Sequence, residues 1–222
     1  EVAMDGESVP LPRVGERNVL VTSALPYVNN VPHLGNCVGA VLSADVYARY
    51  LRQRGVNCLY VCGTDEYGTA TETKAQEEGL TPQEICDKYH ALHKEIYDWF
   101  EIEFDIFGRT STEKQTQVCQ QIFWDNYNNG FVVEGVMDQL YCTTCGRPLA
   151  DRYVRGQCPH CGAEDARGDQ CDNCSRLLNP ADLLRPTCHT CGKTPETRTV
   201  KHLFLDLPRL EEKLRQWVDV AS

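Results

Sequence analysis

Val19-Leu20-Val21-Thr22 is a short apolar, β-branched run without polar alternation, as suits a strand buried on both faces. A polar loop with Pro26, Asn29, Asn30 and Pro32 follows. Leu34, Val38, Val41 and Ala48 then recur at helical spacing, so a helix is expected from about His33 to Arg54, with Gly55 at its C′ position. Asp45 falls on that apolar stripe, with Arg49 or Arg52 as its expected partner. Val56 to Thr64 reads as a second strand. Thr69 to Glu78 reads as a short helix closed by Gly79. Thr81-Pro82-Gln83-Glu84 opens the next helix as a capping box with Pro at its first position, and Ile85, Leu92, Ile96 and Trp99 are expected to face inward. Phe104-Asp105-Ile106-Phe107 is a third strand candidate, and a helix from about Glu113 ends at Asn128-Asn129-Gly130. Strands separated by helices imply parallel pairing through right-handed crossovers. After a tail of residues 1–17, residues 18–130 therefore read as α/β, the first half of a Rossmann-like doubly wound parallel sheet.

From Phe131 the texture changes. Long periodic helices give way to cysteines, glycines and short polar runs, before a strand at His202-Leu203-Phe204-Leu205 and a helix over 208–218 with Leu210, Leu214 and Trp217 inward. Four Cys-x-x-Cys pairs lie here: Cys142/Cys145, Cys158/Cys161, Cys171/Cys174 and Cys188/Cys191. Two thiolates at this spacing reach one Zn²⁺, and two pairs complete a tetrahedron, so eight cysteines make two structural zinc sites. Residues 131–222 are thus expected to be a metal-stapled insertion with two zinc knuckles. A rough repeat, Cys142 to Cys161 and Cys171 to Cys191, favours sequential pairing of the Cys-x-x-Cys units. The remaining Cys37, Cys58, Cys62, Cys86 and Cys119 fall in apolar segments and are expected as small core residues.

Composition narrows the function. The 222 residues are 41% hydrophobic and 24% charged, enough for a globular core, and the formal net charge is −10. Zinc bound by four thiolates would add roughly −2 per site, which argues against a free-standing, charge-driven nucleic-acid binder. No run approaches the roughly 20 apolar residues of a membrane span, and the polar N-terminus has no signal core, so a cytoplasmic chain with zinc ligands rather than disulfides is expected. A start at Glu1 rather than Met suggests a piece of a longer polypeptide.

In open parallel sheets, ligands sit beyond the carboxyl ends of the strands. Two polar segments occupy that edge: Ala24 to Asn36 after the first strand and Gly63 to Thr69 after the second. His33 stands at a helix N-terminus, where free N–H groups favour anions, with Asn36 on the same face and Gly35 between them giving a ligand close access. That is a phosphate-binding arrangement. The alternative is that His33 merely caps the helix and Asn36 is solvated.

The segment Ala24-Leu25-Pro26-Tyr27-Val28-Asn29-Asn30-Val31-Pro32-His33-Leu34-Gly35-Asn36 resembles the "HIGH" signature of class I aminoacyl-tRNA synthetases. Together with Gly63-Thr64-Asp65-Glu66-Tyr67-Gly68-Thr69, and with Leu149-Ala150-Asp151-Arg152-Tyr153-Val154 and Cys158-Pro159-His160-Cys161, it is similar to the methionyl-tRNA synthetase family, in the eukaryotic cytosolic or archaeal form. The resemblance covers residues 18–218 in the family's order. It implies that His33 contacts ATP phosphates and that Asn36 stands where many members carry a second His. It implies that Pro26, Asn29 and Gly35 belong to the ATP loop, that Leu25 and Tyr27 line a methionine site, and that Asp65 holds the α-ammonium. For Glu66 and Tyr67 it leaves a turn and a packed ring as the plainer alternative. The implied reaction is ATP-dependent activation of methionine to methionyl-adenylate, with Mg²⁺ accompanying ATP, and transfer to tRNA(Met) in protein biosynthesis. For the zinc sites the resemblance implies nesting: Cys158, Cys161, Cys171 and Cys174 on one zinc, Cys142, Cys145, Cys188 and Cys191 on the other. The insertion then corresponds to the connective module that helps direct the tRNA acceptor end. The family's "KMSKS" loop and anticodon domain are not among these residues, so the fragment alone is expected to be inactive. Alternatives are a synthetase for valine, isoleucine, leucine or cysteine, a simpler nucleotidyltransferase, or a non-catalytic zinc-ribbon binding module. Membership of a multi-synthetase complex is left open.

Overall fold

The computed structural model describes residues 9–221. The expected tail over 1–17 falls partly outside them. The chain divides into two compact units between Thr112 and Glu113.

In the first unit, β1 (Asn18–Thr22), β2 (Asn57–Thr64) and β3 (Ile106–Arg109) form a parallel sheet in the order β1-β2-β3. Leu20 pairs with Leu59, and Val61 with Ile106. Three helices fill the crossovers: α1 (Ser43–Gln53), α2 (Thr69–Glu78) and α3 (Pro82–Trp99). Val21, Val41, Ala48, Leu51, Tyr60, Tyr97 and Phe107 form the core between sheet and helices, with Cys37, Cys58 and Cys62 as small fillers. The α/β reading holds. So does the capping box, in which the Thr81 hydroxyl accepts from the Glu84 N–H and the Glu84 carboxylate accepts from the Thr81 N–H. Asp45, buried on the α1 stripe, is paired by Arg49 Nε at 2.6 Å and also accepts from the Glu103 N–H at 3.0 Å.

Several local expectations are corrected. The helix after the first loop begins as a π-helix over Gly35–Leu42 and becomes α-helical only at Ser43. Where the wider turn meets the α-helix, the Ser43 hydroxyl donates to the carbonyls of Gly39 and Ala40, each at 3.1 Å. The third strand starts two residues later than expected, because the Asp105 side chain takes over a ladder position: its carboxylate accepts from the Tyr60 N–H at 2.6 Å and from Arg52 at 2.7 Å. Trp99, expected inward, is 77% exposed at the end of α3. Leu34 and Val38 are likewise exposed, leaving Val41 and Ala48 to carry the buried stripe.

The second unit contains α4 (Glu113–Asn128), β4 (Val132–Cys142), β5 (Arg147–Pro148), β6 (Val154–Gln157), β7 (Ala166–Arg167), β8 (Leu184–Cys188), β9 (Glu196–Leu205) and α5 (Glu211–Ala221). Its two antiparallel sheets run β5-β4-β9 and β7-β6-β8. The long β4–β9 ribbon extends from Val132 opposite Leu205 to Tyr141 opposite Glu196. The core is small: Leu140, Leu149, Tyr153, Val154, Ala166 and Leu183, with the cysteines packed among them. The texture of the sequence places α4 with the first domain, whereas it groups with this unit. Periodicity also overreached here. Neither α4 nor α5 has a buried residue, so Cys119, Leu214 and Trp217, all expected inside, are exposed. An apolar helical stripe specifies a face to be covered but not what covers it.

Candidate active site and metal centres

Beyond the end of β1, the chain from Leu25 to Val28 alternates: Leu25 and Tyr27 are exposed, Pro26 and Val28 buried. Val28 is fully buried among Ala75, Ile85, Cys86 and Tyr89, which pins the loop to α2 and α3. The segment also extends the parallel sheet by one bridge, between Tyr27 and Asp65. The Asp65 N–H donates to the Pro26 carbonyl at 2.9 Å, and the Val28 N–H donates to the Asp65 carbonyl at 3.4 Å. Bridge partners present their side chains on the same face and neighbours alternate. Leu25, Tyr27 and Asp65 therefore share one face: two exposed apolar groups beside a half-buried carboxylate.

His33 ends the same loop and is exposed. Its Nδ1 accepts from the Gly35 N–H at 3.0 Å. In a neutral imidazole this places the proton on Nε2, so the free nitrogen is a donor directed away from the backbone. The Asn36 amide oxygen accepts from the His33 N–H at 3.2 Å, which leaves its NH₂ as the outward donor. The capping role and the donor role are thus compatible: one atom of each side chain caps and the other remains available. A Cβ on Gly35 would lie 2.8 Å from Cε1 of the His33 ring, so glycine is what permits this ring position. The loop is braced from below by His93, which sequence reasoning missed. Its Nε2–H donates to the Asn30 carbonyl at 2.9 Å, and burial pushes its pKa below the usual histidine value.

The 63–69 segment holds a second missed cluster. Glu66 is buried, and Tyr67 is 59% exposed, not a packed ring. Arg109 Nε donates to Glu66 at 2.7 Å, Thr64 Oγ1 at 3.0 Å, and Ser111 Oγ also donates to it. His90 Nδ1 lies 2.8 Å from Thr64 Oγ1, and burial lowers its pKa too. Since the Thr64 hydroxyl gives its proton to Glu66, His90 is the donor in that contact. The only sequence hint was the spacing of His90 and His93, one turn apart on α3.

In the second unit the eight thiols gather as two nested groups, Cys142/Cys145/Cys188/Cys191 and Cys158/Cys161/Cys171/Cys174, with the sulfurs of each group within 4.8 Å of one another. Sequential pairing, favoured by the internal repeat, is not what the fold builds. Cross-pair separations are 3.5 Å (Cys142–Cys191), 3.9 Å (Cys145–Cys188), 3.9 Å (Cys158–Cys174) and 3.6 Å (Cys161–Cys171). A tetrahedron with metal–sulfur bonds of about 2.3 Å has edges of about 3.8 Å, whereas a disulfide needs about 2 Å. The donor set therefore fits a tetrahedral metal ion. Each knuckle turns on a left-handed residue directly after its second cysteine: Gly146, Gly162 and Gly192, but Ser175 (φ 58°) in the third. The Cys145 N–H donates to Cys142 Sγ at 3.4 Å and lowers that thiol to about 7, and the Asn173 amide lowers Cys161 to about 6. Neighbouring thiols push Cys145 up to about 12. A bound cation is what lets all four lose their protons together.

The chain belongs to the family of tRNA synthetases class I (M), whose model matches residues 19–222. It is 62% identical over 214 residues to the probable cytoplasmic methionine--tRNA ligase of Dictyostelium discoideum, covering 96% of this chain and 29% of that protein. It is 62% identical over 208 residues to the cytoplasmic methionine--tRNA ligase of Homo sapiens, covering 94% of this chain and 23% of that protein. The chain thus spans less than a third of these relatives. Its fold is similar to part of Mycobacterium tuberculosis methionyl-tRNA synthetase, solved in complex with methionyl-adenylate: TM-score 0.63, 17% identity, covering 92% of this chain and 35% of that one. Among the described residues, no helix is long and apolar enough to cross a membrane.

Proposed function

We propose that this chain carries the methionine- and ATP-binding half of a cytoplasmic methionine--tRNA ligase. The observation that carries the reading is the shared face of Leu25, Tyr27 and Asp65, formed by the Tyr27–Asp65 bridge. A carboxylate beside two apolar side chains matches an α-amino acid with an apolar side chain: Asp65 pairs with the ammonium, while Leu25 and Tyr27 contact the thioether chain. His33 Nε2 and the Asn36 amide donate to the phosphates of ATP at the helix start, with Pro26, Asn29 and Gly35 shaping the loop that receives it and Mg²⁺ accompanying the nucleotide. The methionine carboxylate attacks the α-phosphorus and pyrophosphate leaves; a hydroxyl at the 3′ end of tRNA(Met) then attacks the methionyl carbonyl and AMP leaves. No side chain acts as a nucleophile. Catalysis is placement of the two substrates plus donors aimed at the transferring phosphate. Asn36 contributes a hydrogen bond but no positive charge.

The two cysteine tetrads are read as zinc sites, Cys142/Cys145/Cys188/Cys191 and Cys158/Cys161/Cys171/Cys174. With four thiolates each and no open position, the metal supplies structure and no chemistry.

The test is amino-acid-dependent ATP–pyrophosphate exchange by the full-length protein. Exchange that requires methionine, and not valine, isoleucine, leucine or cysteine, supports the reading. Exchange driven by one of those four instead, or no exchange with methionine or any of the four, rejects it.

A further inference from the structure

The buried Glu66 carboxylate is gripped by Thr64, Arg109 and Ser111, and the proposed reaction gives it no role. Its side chain is completely buried and paired with Arg109 at 2.7 Å. Replacing such an ion pair with apolar groups is often neutral or stabilising, so stability alone is a poor reason for placing a charge here.

Its position in the chain offers a better one. Asp65 and Glu66 continue β2 past its last ladder pair, Thr64 with Arg109. Thr64 and Glu66 turn to one side, where the Thr64 hydroxyl donates to the Glu66 carboxylate at 3.0 Å. Asp65, between them, faces the other side with Tyr27. Everything gripping Glu66 therefore grips the back of the strand that presents Asp65. The Glu66 N–H donates to Thr110 Oγ1 at 2.9 Å, and the Thr110 N–H donates to the Thr64 carbonyl at 3.2 Å. Ser111 donates to the second carboxylate oxygen of Glu66. Arg109, besides holding Glu66, reaches Asp87 on α3 at 2.6 Å. The ends of β2 and β3 and one face of α3 are thereby fastened at the residue next to Asp65.

We infer that Glu66 is a positioning residue for methionine binding: its buried carboxylate, with Arg109, Thr110 and Ser111, holds the β2 extension so that the Asp65 carboxylate is aimed at the ammonium before the substrate arrives. This rests on Asp65 being the ammonium partner. Preorganising one group of a site lowers the ordering cost of the ligand that group touches and leaves other ligands untouched. Loosening the anchor should therefore weaken methionine binding selectively.

The experiment is steady-state pyrophosphate exchange by the full-length protein, comparing wild type with Glu66→Gln, Thr110→Val and Thr110→Ser. Glu66→Gln keeps the shape but loses the charge facing Arg109. Thr110→Val keeps the shape but loses the acceptor for the Glu66 N–H, and Thr110→Ser restores it. The expected result is a rise of about tenfold in KM for methionine in Glu66→Gln and Thr110→Val, the size of one weakened charge-assisted hydrogen bond. KM for ATP should stay within about twofold, and Thr110→Ser should return close to wild type. If Glu66→Gln does not fold, the Thr110 pair decides. An unchanged KM for methionine, or a parallel rise in both KM values, overturns the inference while leaving methionine-dependent exchange by the wild type intact. A wild type that does not activate methionine overturns the inference together with the proposed function.

Discussion

Tyr27 and Asp65 lie side by side as the last parallel bridge of the first sheet, although they are 38 positions apart in the chain. The bridge carries the loop after β1 and the loop after β2 as one surface. Its backbone bonds, from Asp65 to Pro26 and from Val28 to Asp65, need no particular side chains at those positions. The side chains are thereby free to be chosen for a ligand.

Gly35 offers a local probe of the other end of that loop. Gly35→Ala places a methyl group 2.8 Å from the His33 ring and must turn the imidazole. On the proposed function, kcat for pyrophosphate exchange by the full-length protein should fall about 10- to 100-fold, while KM for methionine stays nearly constant, because the proposed phosphate donors and the proposed ammonium site are separate. Steady-state kinetics with each substrate varied checks this.

The nesting of the cysteines gives a stoichiometric forecast. Cys145→Ser/Cys188→Ser damages a single tetrad and should remove one zinc per chain; Cys145→Ser/Cys161→Ser damages both tetrads and should remove two. Sequential pairing would give the reverse outcome. Native mass spectrometry of the variants counts the ions directly.

Acid should destabilise the first unit through His93 and His90. Burial is the first cause of the lowered pKa of each, so the folded state holds them neutral more firmly than the unfolded chain does. Their contribution is complete above the ordinary value of 6.5 and is lost as pH falls from there toward the depressed folded values. Urea midpoints should therefore decline on acidification below about pH 6.5, and the decline should be shallower in His93→Gln.

What the sequence disclosed was what local chemistry decides. The strand over 18–22 needs only its apolar run, α3 needs only the Thr81–Glu84 box and Pro82, and each Cys-x-x-Cys turn is set within five residues. The meeting of the loops after β1 and β2, through Tyr27 and Asp65, followed from where parallel strands end. Long-range partners were not legible. Arg109 meets Glu66 across 43 positions, and His93 meets Asn30 across 63, with nothing in either segment to announce the other. The π-helical start at Gly35 was hidden because small residues satisfy both helical periods. Trp99, Cys119 and Trp217 were misplaced because an apolar stripe gives orientation without naming the surface that covers it. The repeat in the cysteine module misled for a related reason: similar spacing recurs in sequence, but the β4–β9 ribbon brings the first pair to the last.

The most direct test replaces Asp65 with Asn in the full-length protein and measures methionine and ATP binding separately by calorimetry. Removing the charge while keeping the shape should weaken methionine about 100-fold, as expected when an ammonium loses its ionic partner, and leave ATP within about twofold. Methionine bound equally well by the neutral variant would mean that this carboxylate does not receive the amino acid, and the face it shares with Leu25 and Tyr27 would have to serve something else.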